Sequence, residues 1–263
     1  MNVASPPSPT PPIEGGATAH PLPCVGEGGG WGGFFVENKM NVTFRKELLE
    51  LGATVVGFAD LRGFLTGEIA HLDRAVSIAV DRRLNEDTLS LLVKLQKRVV
   101  RDLKARGFRT LAIPPDSDRK KTTFVSKLYC LFNHKMAATS AGIGWIGKNG
   151  LLISADYGPR LSLATVLTDA PLDPDAPMEH SLCGSCTLCI QYCPSKAITG
   201  AEWSRSRPVV ELVRIGSCRS HKAIKRLTDG KPNCGLCINI CPYGRRNDRE
   251  KAINRRDAET RRD

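Results

Sequence analysis

Four cysteines and a proline in the second half of the chain constrain its fold more than any other feature. They form the run Cys183-Gly-Ser-Cys186-Thr-Leu-Cys189-Ile-Gln-Tyr-Cys193-Pro194, with the spacing C-x2-C-x2-C-x3-C-P. Three thiolates placed three residues apart can wrap one iron–sulfur cubane, whereas the fourth begins a helix and reaches toward a different cluster. The run therefore predicts a domain that holds 4Fe-4S clusters.

A partial copy of this run follows downstream as Cys234-Gly-Leu-Cys237-Ile-Asn-Ile-Cys241-Pro242, with Lys231 in the place of the first cysteine. Cys218 is the one cysteine in this half of the chain that neither run uses, so we assign it to complete the set. Crossing the fourth ligands between the two runs gives two sets of four. Cluster one is predicted to use Cys183, Cys186, Cys189 and Cys241, and cluster two to use Cys193, Cys218, Cys234 and Cys237.

Structural zinc is the competing interpretation, because zinc sites also use C-x2-C pairs. Two zinc sites would need neither the Cys-Pro endings nor the shared three-residue offset, so the spacing favours iron–sulfur clusters. The chain has 10 cysteines. The remaining two are Cys24, in the leader described next, and Cys130, in an apolar stretch, and both are interpreted as unused or buried thiols.

The first 39 residues are interpreted as a disordered leader, because residues 1–33 hold seven Pro and eight Gly but no Lys or Arg. They lack the basic region of a secretory signal and the paired arginines of a twin-arginine signal. Clustered cysteines without an export signal are typical of metal binding in a reducing compartment. We therefore expect a cytoplasmic protein. Apolar runs such as residues 161–167 are too short for a membrane span.

The balance of charge indicates an anionic partner. The formal net charge is +11 in a chain of 263 residues, and the pI is about 9.3. A basic surface suits either nucleic acid or an acidic electron-donor protein such as a flavodoxin or ferredoxin. A basic surface that only keeps the protein in solution remains the alternative, and we expect a monomer.

Alternating helical and strand patterns predict an α/β domain over residues 40–175. Helices are predicted at 44–51, 85–104 and 124–141, and strands at 54–59, 75–80, 109–113, 151–154 and 161–167. Residues 171–177 (PLDPDAP) form a predicted linker to a ferredoxin-like domain at 176–243. Residues 244–263 form a charged tail.

Ala141 to Gly150 reads AGIGWIGKNG, which satisfies the glycine spacing of a dinucleotide fingerprint and nearly satisfies a P-loop. A dinucleotide fingerprint needs a strand before the glycines and a helix after them, and a P-loop also needs Ser or Thr after its lysine. The predicted order here is helix, loop, strand, and Asn149 follows Lys148. Both templates fail. What remains is a glycine loop that lets the backbone approach a flat or anionic group, or a tight turn between two core elements.

Several segments together resemble the epoxyqueuosine reductase family, which is related to the reductive dehalogenases. They are the segment that begins at His134 (HKMAA), the loop Gly142–Lys148, residues 151–153 (LLI), Tyr157–Arg160 (YGPR), Thr165–Asp169 (TVLTD) and the two cysteine runs. The resemblance covers about 42–243. It implies a nitroreductase-like α/β domain that holds cobalamin, fed with single electrons by a domain carrying two 4Fe-4S clusters.

The resemblance also implies residue roles. The glycine loop would lie beside the corrinoid, with Lys148 and Arg160 near its phosphate or amide groups; the implied cofactor-binding set is Gly142, Gly144, Trp145, Gly147, Lys148 and Arg160. Catalytic candidates are Asp116 and Asp118, which do not match the family pattern cleanly, and His134. His134 is either a general acid or a structural histidine. Tyr157 is expected to pack the turn.

Two functions remain open on the sequence. The first is a corrinoid-dependent oxidoreductase that resembles epoxyqueuosine reductase. The second is a non-catalytic electron carrier whose two clusters only relay charge. The family's further helical domain, which helps to hold tRNA, has no counterpart in these 263 residues, so the sequence leaves tRNA binding doubtful.

Overall fold

The computed structural model describes residues 38–82, 87–115, 132–208, 211–230 and 234–244. Several predictions fall outside these ranges: the leader up to residue 37, Cys24, Cys130, Asp116, Asp118, and the tail beyond Gly244. The last two residues of the predicted leader belong to the folded part, because helix α1 (Lys39–Glu50) begins there and the Asn38 side chain caps it by accepting from the Met40 N–H at 2.9 Å.

Four strands form one sheet in the order β1–β2–β6–β3, and all three pairings are antiparallel. The strands are β1 (Val55–Asp60), β2 (Arg74–Asp81), β3 (Thr110–Ile113) and β6 (Leu161–Thr168). The mixed fold predicted from alternating patterns is confirmed at this level. Neighbouring strands run in opposite directions. The sequence did not indicate these directions, because the order of elements along a chain does not fix which strands pair.

One face of the sheet is covered by helices α1 and α2 (Thr88–Ala105). Side chains from that face, such as Val56, Phe58, Val76 and Ile78, pack in one core with the apolar stripe of α2. The stripe is Leu92, Leu95, Val99 and Leu103, each at most 1% exposed. Its three- and four-residue spacing is what predicted the helix.

The other face of the sheet packs against residues of the predicted ferredoxin-like domain at 176–243, which is called the cysteine-containing segment below. Ala75 and Ala79, which alternate with the previous set along β2, share a second core with helix α3 (His134–Ser140) and with residues beyond the predicted linker. Those residues include Trp203, Leu212 and Cys241. The cysteine-containing segment is thus packed directly on the sheet domain.

The glycine loop is followed by a two-stranded hairpin, β4 (Trp145–Ile146) and β5 (Leu152–Ile153). The predicted order of helix, loop, strand missed β4 because a two-residue strand has no readable period. The predicted helix at 124–141 is helical in its described part only over α3, because Asn133 caps α3 by accepting from the Lys135 N–H at 3.0 Å.

The predicted linker lies along β1, which is an edge strand of the sheet. Asp175 donates its backbone N–H to the Phe58 carbonyl, and its carboxylate accepts from the Phe58 N–H, both at 2.8 Å. The other carboxylate oxygen of Asp175 pairs with Arg45 at 2.7 Å. The segment therefore extends the hydrogen bonding of the sheet by one residue.

The remaining α-helices of the described residues belong to the cysteine-containing segment: α4 (Leu188–Gln191), α5 (Ile215–Asp229) and α6 (Leu236–Asn239). A search of the described residues for a helix long and apolar enough to cross a membrane finds none.

Candidate iron–sulfur centre

Short helices and loops position the eight cysteines of residues 183–241. Cys189 lies on α4, Cys237 on α6 and Cys218 on α5, and Cys186 and Cys234 lie in the loops just before α4 and α6. All eight are free thiols and are at least partly buried. Their positions can be compared with the two predicted ligand sets.

Cys183, Cys186, Cys189 and Cys241 line one cavity together, although Cys241 comes from the second run. The pKa of Cys189 is raised to about 12, first by burial and then by the neighbouring thiols of Cys183, Cys186, Cys237 and Cys241. The pKa of Cys241 is also raised, first by burial, with added effects of Cys183 and Cys186. These four residues are the predicted ligands of cluster one.

The other four cysteines form a second group. The pKa of Cys237 is raised to about 11, first by burial and then by the thiols of Cys218, Cys234 and Cys193. Cys193 behaves differently: burial raises its pKa, but hydrogen bonds from Ser195 and from backbone N–H groups outweigh burial and lower it. The Ala197 N–H donates to the Cys193 Sγ at 3.4 Å. N–H donors of this kind suit a thiolate ligand.

The chemistry of the two groups suits iron–sulfur clusters, since each group offers four thiols, and thiols lose their protons when they bind a metal. Among the described residues, no three His, Cys, Asp or Glu side chains lie close enough to hold a single metal ion. The interaction of Cys237 with Cys189 places the two groups beside each other.

The glycines of the AGIGWIGKNG loop are packed against the protein itself. A Cβ on Gly142 would lie 2.6 Å from the Ala176 carbonyl oxygen, and one on Gly147 would lie 2.8 Å from Ile153. A Cβ on Gly144 would overlap the Ile153 backbone. The groups that come close to these glycines are therefore residues of the hairpin and of the predicted linker.

Lys148 and Asn149 connect this loop to both groups of cysteines. The Lys148 Nζ donates to the carbonyls of Gly184 at 2.6 Å and Cys186 at 3.2 Å, and Asn149 Nδ2 donates to the Cys237 carbonyl at 3.2 Å. Lys148 and Asn149 also line the cavity of the first group. The loop therefore lies against the predicted clusters.

The turn Tyr157–Arg160 holds the end of the second cysteine run. A Cβ on Gly158 would overlap the Tyr243 carbonyl, and Arg160 Nη1 donates to the same carbonyl at 3.4 Å. The Tyr243 ring stacks edge-on against Trp145 with centroids 4.9 Å apart, and its hydroxyl donates to the Leu182 carbonyl at 2.6 Å. Tyr243 thus joins both runs to the hairpin, and no sequence pattern had singled it out.

His134 is buried, and both of its ring nitrogens have partners. Nδ1 lies 2.9 Å from the Thr165 hydroxyl on β6, and Nε2 lies 2.9 Å from the Pro114 carbonyl. A carbonyl only accepts, so Nε2 carries a proton. These contacts link α3 to β6 and fit the structural one of the two roles considered for His134.

A larger cavity of about 630 Å³ lies on the other side of the β4–β5 hairpin. Leu151 and Leu152 line it, whereas Ile153 of the same strand lines the cysteine cavity. Its other lining includes Leu161, Leu163, His134, Lys135 and Arg82. The volume lies within the range of ligand sites, and the lining combines apolar walls with a few polar groups.

Arg82 is the polar wall residue that the sequence did not reveal. It donates to the carbonyls of Arg160 and Pro159, at 3.0 and 2.9 Å, and its pKa is lowered mainly by burial and also by Arg160. None of the six residues expected to bind the cofactor lines this cavity. Adjacent residues of the same hairpin and turn, Leu151, Leu152 and Pro159, do line it.

Comparison with known proteins adds a family model and a set of relatives. Residues 182–244 match the model of the 4Fe-4S double cluster binding domain. Curated relatives named epoxyqueuosine reductase include those of Lactococcus garvieae, 31% identical over 109 residues, and Synechococcus sp. strain RCC307, 39% identical over 109 residues. Each alignment covers 41% of this chain, and 31% and 34% of the respective relative. The chain thus matches about a third of each relative's length.

Two solved structures show where the fold recurs. An epoxyqueuosine reductase solved with a tRNA stem loop matches with a TM-score of 0.57 and 20% identity, over 78% of this chain and 65% of that chain. A reductive dehalogenase described in terms of B12-dependent dehalogenation matches with a TM-score of 0.62 and 17% identity, over 82% of this chain and 34% of that one. The fold of the chain resembles both, and the resemblance noted in the sequence is confirmed.

Proposed function

We propose that this chain is a cytoplasmic iron–sulfur oxidoreductase similar to epoxyqueuosine reductase, which passes single electrons through two 4Fe-4S clusters to a corrinoid and from there to substrate. The cavity shared by Cys183, Cys186, Cys189 and Cys241 carries the proposal, because it joins ligands from both cysteine runs as the crossed arrangement requires. The matched double-cluster model, over residues 182–244, supports two 4Fe-4S clusters. We also propose that the antiparallel sheet domain is nitroreductase-like.

The corrinoid is assigned to the larger cavity rather than to the glycine loop itself. Leu151, Leu152, Leu161 and Leu163 offer apolar contact to a flat ring, and Arg82 and Lys135 offer polar contact to its amide or phosphate arms. A reduced corrinoid bound there would supply a nucleophilic cobalt centre. The hairpin lies between the two cavities, so electrons would have only this thin layer of protein to cross.

Substrate reduction also needs protons. Converting an epoxide to an alkene consumes two electrons and two protons and releases water, and a carbon–halogen bond likewise needs two electrons and one proton. His134 lines the larger cavity and is a candidate proton donor, although its Nε2 proton is directed at the Pro114 carbonyl. Asp116 and Asp118 remain candidates outside the described residues.

The partners are proposed on the same basis. An acidic flavodoxin or ferredoxin would supply single electrons to a chain of net charge +11, and a monomer suffices for the site, since all eight cysteines come from one chain. A modified tRNA is the proposed substrate, because one structural relative was solved with an epoxyqueuosine-modified tRNA stem loop.

The proposal is tested by anaerobic purification followed by assays of iron, sulfide and cobalt, with visible spectra before and after cobalamin is added. We expect eight irons and a bound corrinoid whose spectrum changes on reduction. Eight irons without corrinoid binding would favour the second function, a non-catalytic electron carrier. A preparation that contains zinc and no iron would contradict both.

A further inference from the structure

Lys148 is a buried cation at the cavity of the first cysteine group. Its residue is 6% exposed, and lysine is rarely so buried unless it is paired. Nζ contacts three groups of the cysteine-containing segment: the carbonyls of Gly184 and Cys186 and the carboxylate of Glu202, the last at 3.3 Å. The side chain therefore crosses from the hairpin into the loop that carries two predicted ligands.

The two carbonyls lie between ligands of one cluster. Gly184 follows Cys183 with a φ of 51°, and the Cys186 N–H donates to the Cys183 carbonyl at 3.1 Å, so the loop forms a tight turn with carbonyls directed at Nζ. The ammonium group can hold this turn in place. It therefore helps to fix the relative positions of the Cys183 and Cys186 thiols.

The charge of Lys148 is only partly offset. Glu202 is 56% exposed, so water and salt screen its carboxylate, whereas the Lys148 side chain is 7% exposed and is screened much less. A buried positive charge favours whichever redox state is more negative. Each electron that an iron–sulfur cluster accepts adds one negative charge, and net charge and hydrogen bonding set cluster potentials.

The second group has a different environment. Lys225 interacts with Cys234. Its Nζ pairs with Asp229 at 2.8 Å, and its side chain is 29% exposed on the outer helix α5. The positive charge of Lys225 is therefore screened by solvent and balanced by the Asp229 carboxylate. The two predicted clusters differ in the burial of the cation beside them.

We propose that Lys148 is a positioning residue that holds the Cys183–Cys186 turn and raises the reduction potential of cluster one, so that electrons run from cluster two toward the hairpin and the larger cavity. The proposal rests on the proposed function in one respect, the presence of both clusters. It adds a direction of electron flow and names the residue that sets it.

The test is a potentiometric titration of the reconstituted protein followed by electron paramagnetic resonance, with cluster one identified as the signal that a Cys186→Ser variant lacks. In Lys148→Met, we expect the midpoint potential of cluster one to fall by at least 59 mV, which is a tenfold change in the equilibrium constant of a one-electron reduction. The signal of cluster two should keep its midpoint. Lys148→Arg should restore most of the loss.

Two further variants separate the effect of charge from that of packing. Glu202→Gln removes the opposing charge without touching Lys148, so the potential of cluster one should rise. Lys97→Met removes a lysine of helix α2 that lines neither the cysteine cavity nor the larger cavity. It should leave both potentials unchanged.

The outcomes separate this proposal from the proposed function. A wild-type protein without eight irons contradicts the proposed function. Eight irons with no shift of cluster one in Lys148→Met contradicts only the role of Lys148. If Lys148→Met fails to hold cluster one, Lys148→Gln decides, because its amide can still donate to a carbonyl but carries no charge: a lowered potential of cluster one supports the proposal, and an unchanged one refutes it.

Discussion

Gly158 lies where the sheet domain meets the end of the second cysteine run, and both its φ of 58° and its close packing against Tyr243 exclude a side chain. Gly244 makes the reciprocal contact, because a Cβ there would lie 2.5 Å from the Tyr157 backbone. Two glycines from distant parts of the sequence are therefore needed at one contact. This contact fixes the position of Tyr243, which follows the predicted ligand Cys241 by two residues.

Replacing Gly158 with Ala should cost about 1–2 kcal/mol for the left-handed backbone and more for the overlap with Tyr243. The matched control is Gly107→Ala, where φ is 87° but nothing lies within 4 Å of the added Cβ. Chemical denaturation of both apo-proteins measures the difference. Equal losses would show that the Tyr243 contact yields when a methyl group is added.

His134 also has a defined local environment, and its structural role can be tested separately from proton donation. His134→Phe should destabilise the protein by about 1–3 kcal/mol, the cost of one buried group left unpaired, since the buried Thr165 hydroxyl loses a hydrogen bond. The half-buried Pro114 carbonyl loses one as well. Thermal unfolding measures this loss. The iron content should not change, because His134 is not among the residues lining the cysteine cavity.

A role in proton donation would appear in a different measurement. If His134 supplies the proton, the pH–rate profile of substrate reduction changes its shape in His134→Phe. A profile that keeps its shape in a destabilised but active variant would leave His134 with the structural role alone.

At the scale of elements, the sheet depends on a segment that the sequence marked as a linker. Strand β1 is an edge, and Asp175 pairs with both backbone groups of Phe58. Covered edges keep a sheet from pairing with another chain. The segment therefore stabilises β1 as well as connecting to the cysteine-containing residues.

Asp175→Ala should lower the free energy of unfolding by about 1.5–3 kcal/mol, the usual contribution of a hydrogen bond to a charged group. It removes the acceptor of the Phe58 N–H and the partner of Arg45. Asp173→Ala is the control, since Asp173 is an exposed carboxylate of the same segment. Urea unfolding of the two variants makes the comparison, and equal midpoints would contradict the stabilising role of Asp175.

The periodic elements were predictable and the irregular ones were not. The stripe of α2 and the apolar runs of β2 and β6 carry regular patterns, so their positions agree within a few residues. The hairpin strands have two residues each, and Gln96 bridges β3 and β6 by donating to Ile113 and Thr165 at 2.7 and 2.8 Å. Such features depend on partners distant in sequence, which no local period encodes.

The candidate site shows the same division. The cysteine groups follow from spacing, because a cubane fixes the separation of its ligands. Arg82 and Tyr243 could not be identified in this way, since each acts through a backbone carbonyl that comes near only after folding. The glycine loop was recognised, but the neighbours that fill its surfaces are set by tertiary packing.

At the scale of the whole molecule, the crossed ligand sets predict which cysteine variants lose the same cluster. The order of the cysteines in the two runs alone would predict a different grouping. Cys241→Ser should lose the same cluster as Cys186→Ser, although Cys241 belongs to the second run, because both line one cavity. Cys234→Ser should lose the other cluster, because Cys234 belongs with Cys237 and Cys193. About half of the iron should remain in each variant if each cluster is held by four thiolates.

Iron analysis and electron paramagnetic resonance of the three variants test the assignment. The signal that remains in Cys241→Ser should match the one that remains in Cys186→Ser. A match to Cys234→Ser instead would mean that each run binds its own cluster.

The shared cavity has a consequence for how the protein is made. Under the proposed ligand set, Cys241 is the last of the four ligands to be synthesised, about fifty residues after Cys189, and at 5–20 residues per second the first three thiols precede it by roughly 3–10 seconds. The first cluster can therefore be held by all four thiols only after translation has passed Cys241.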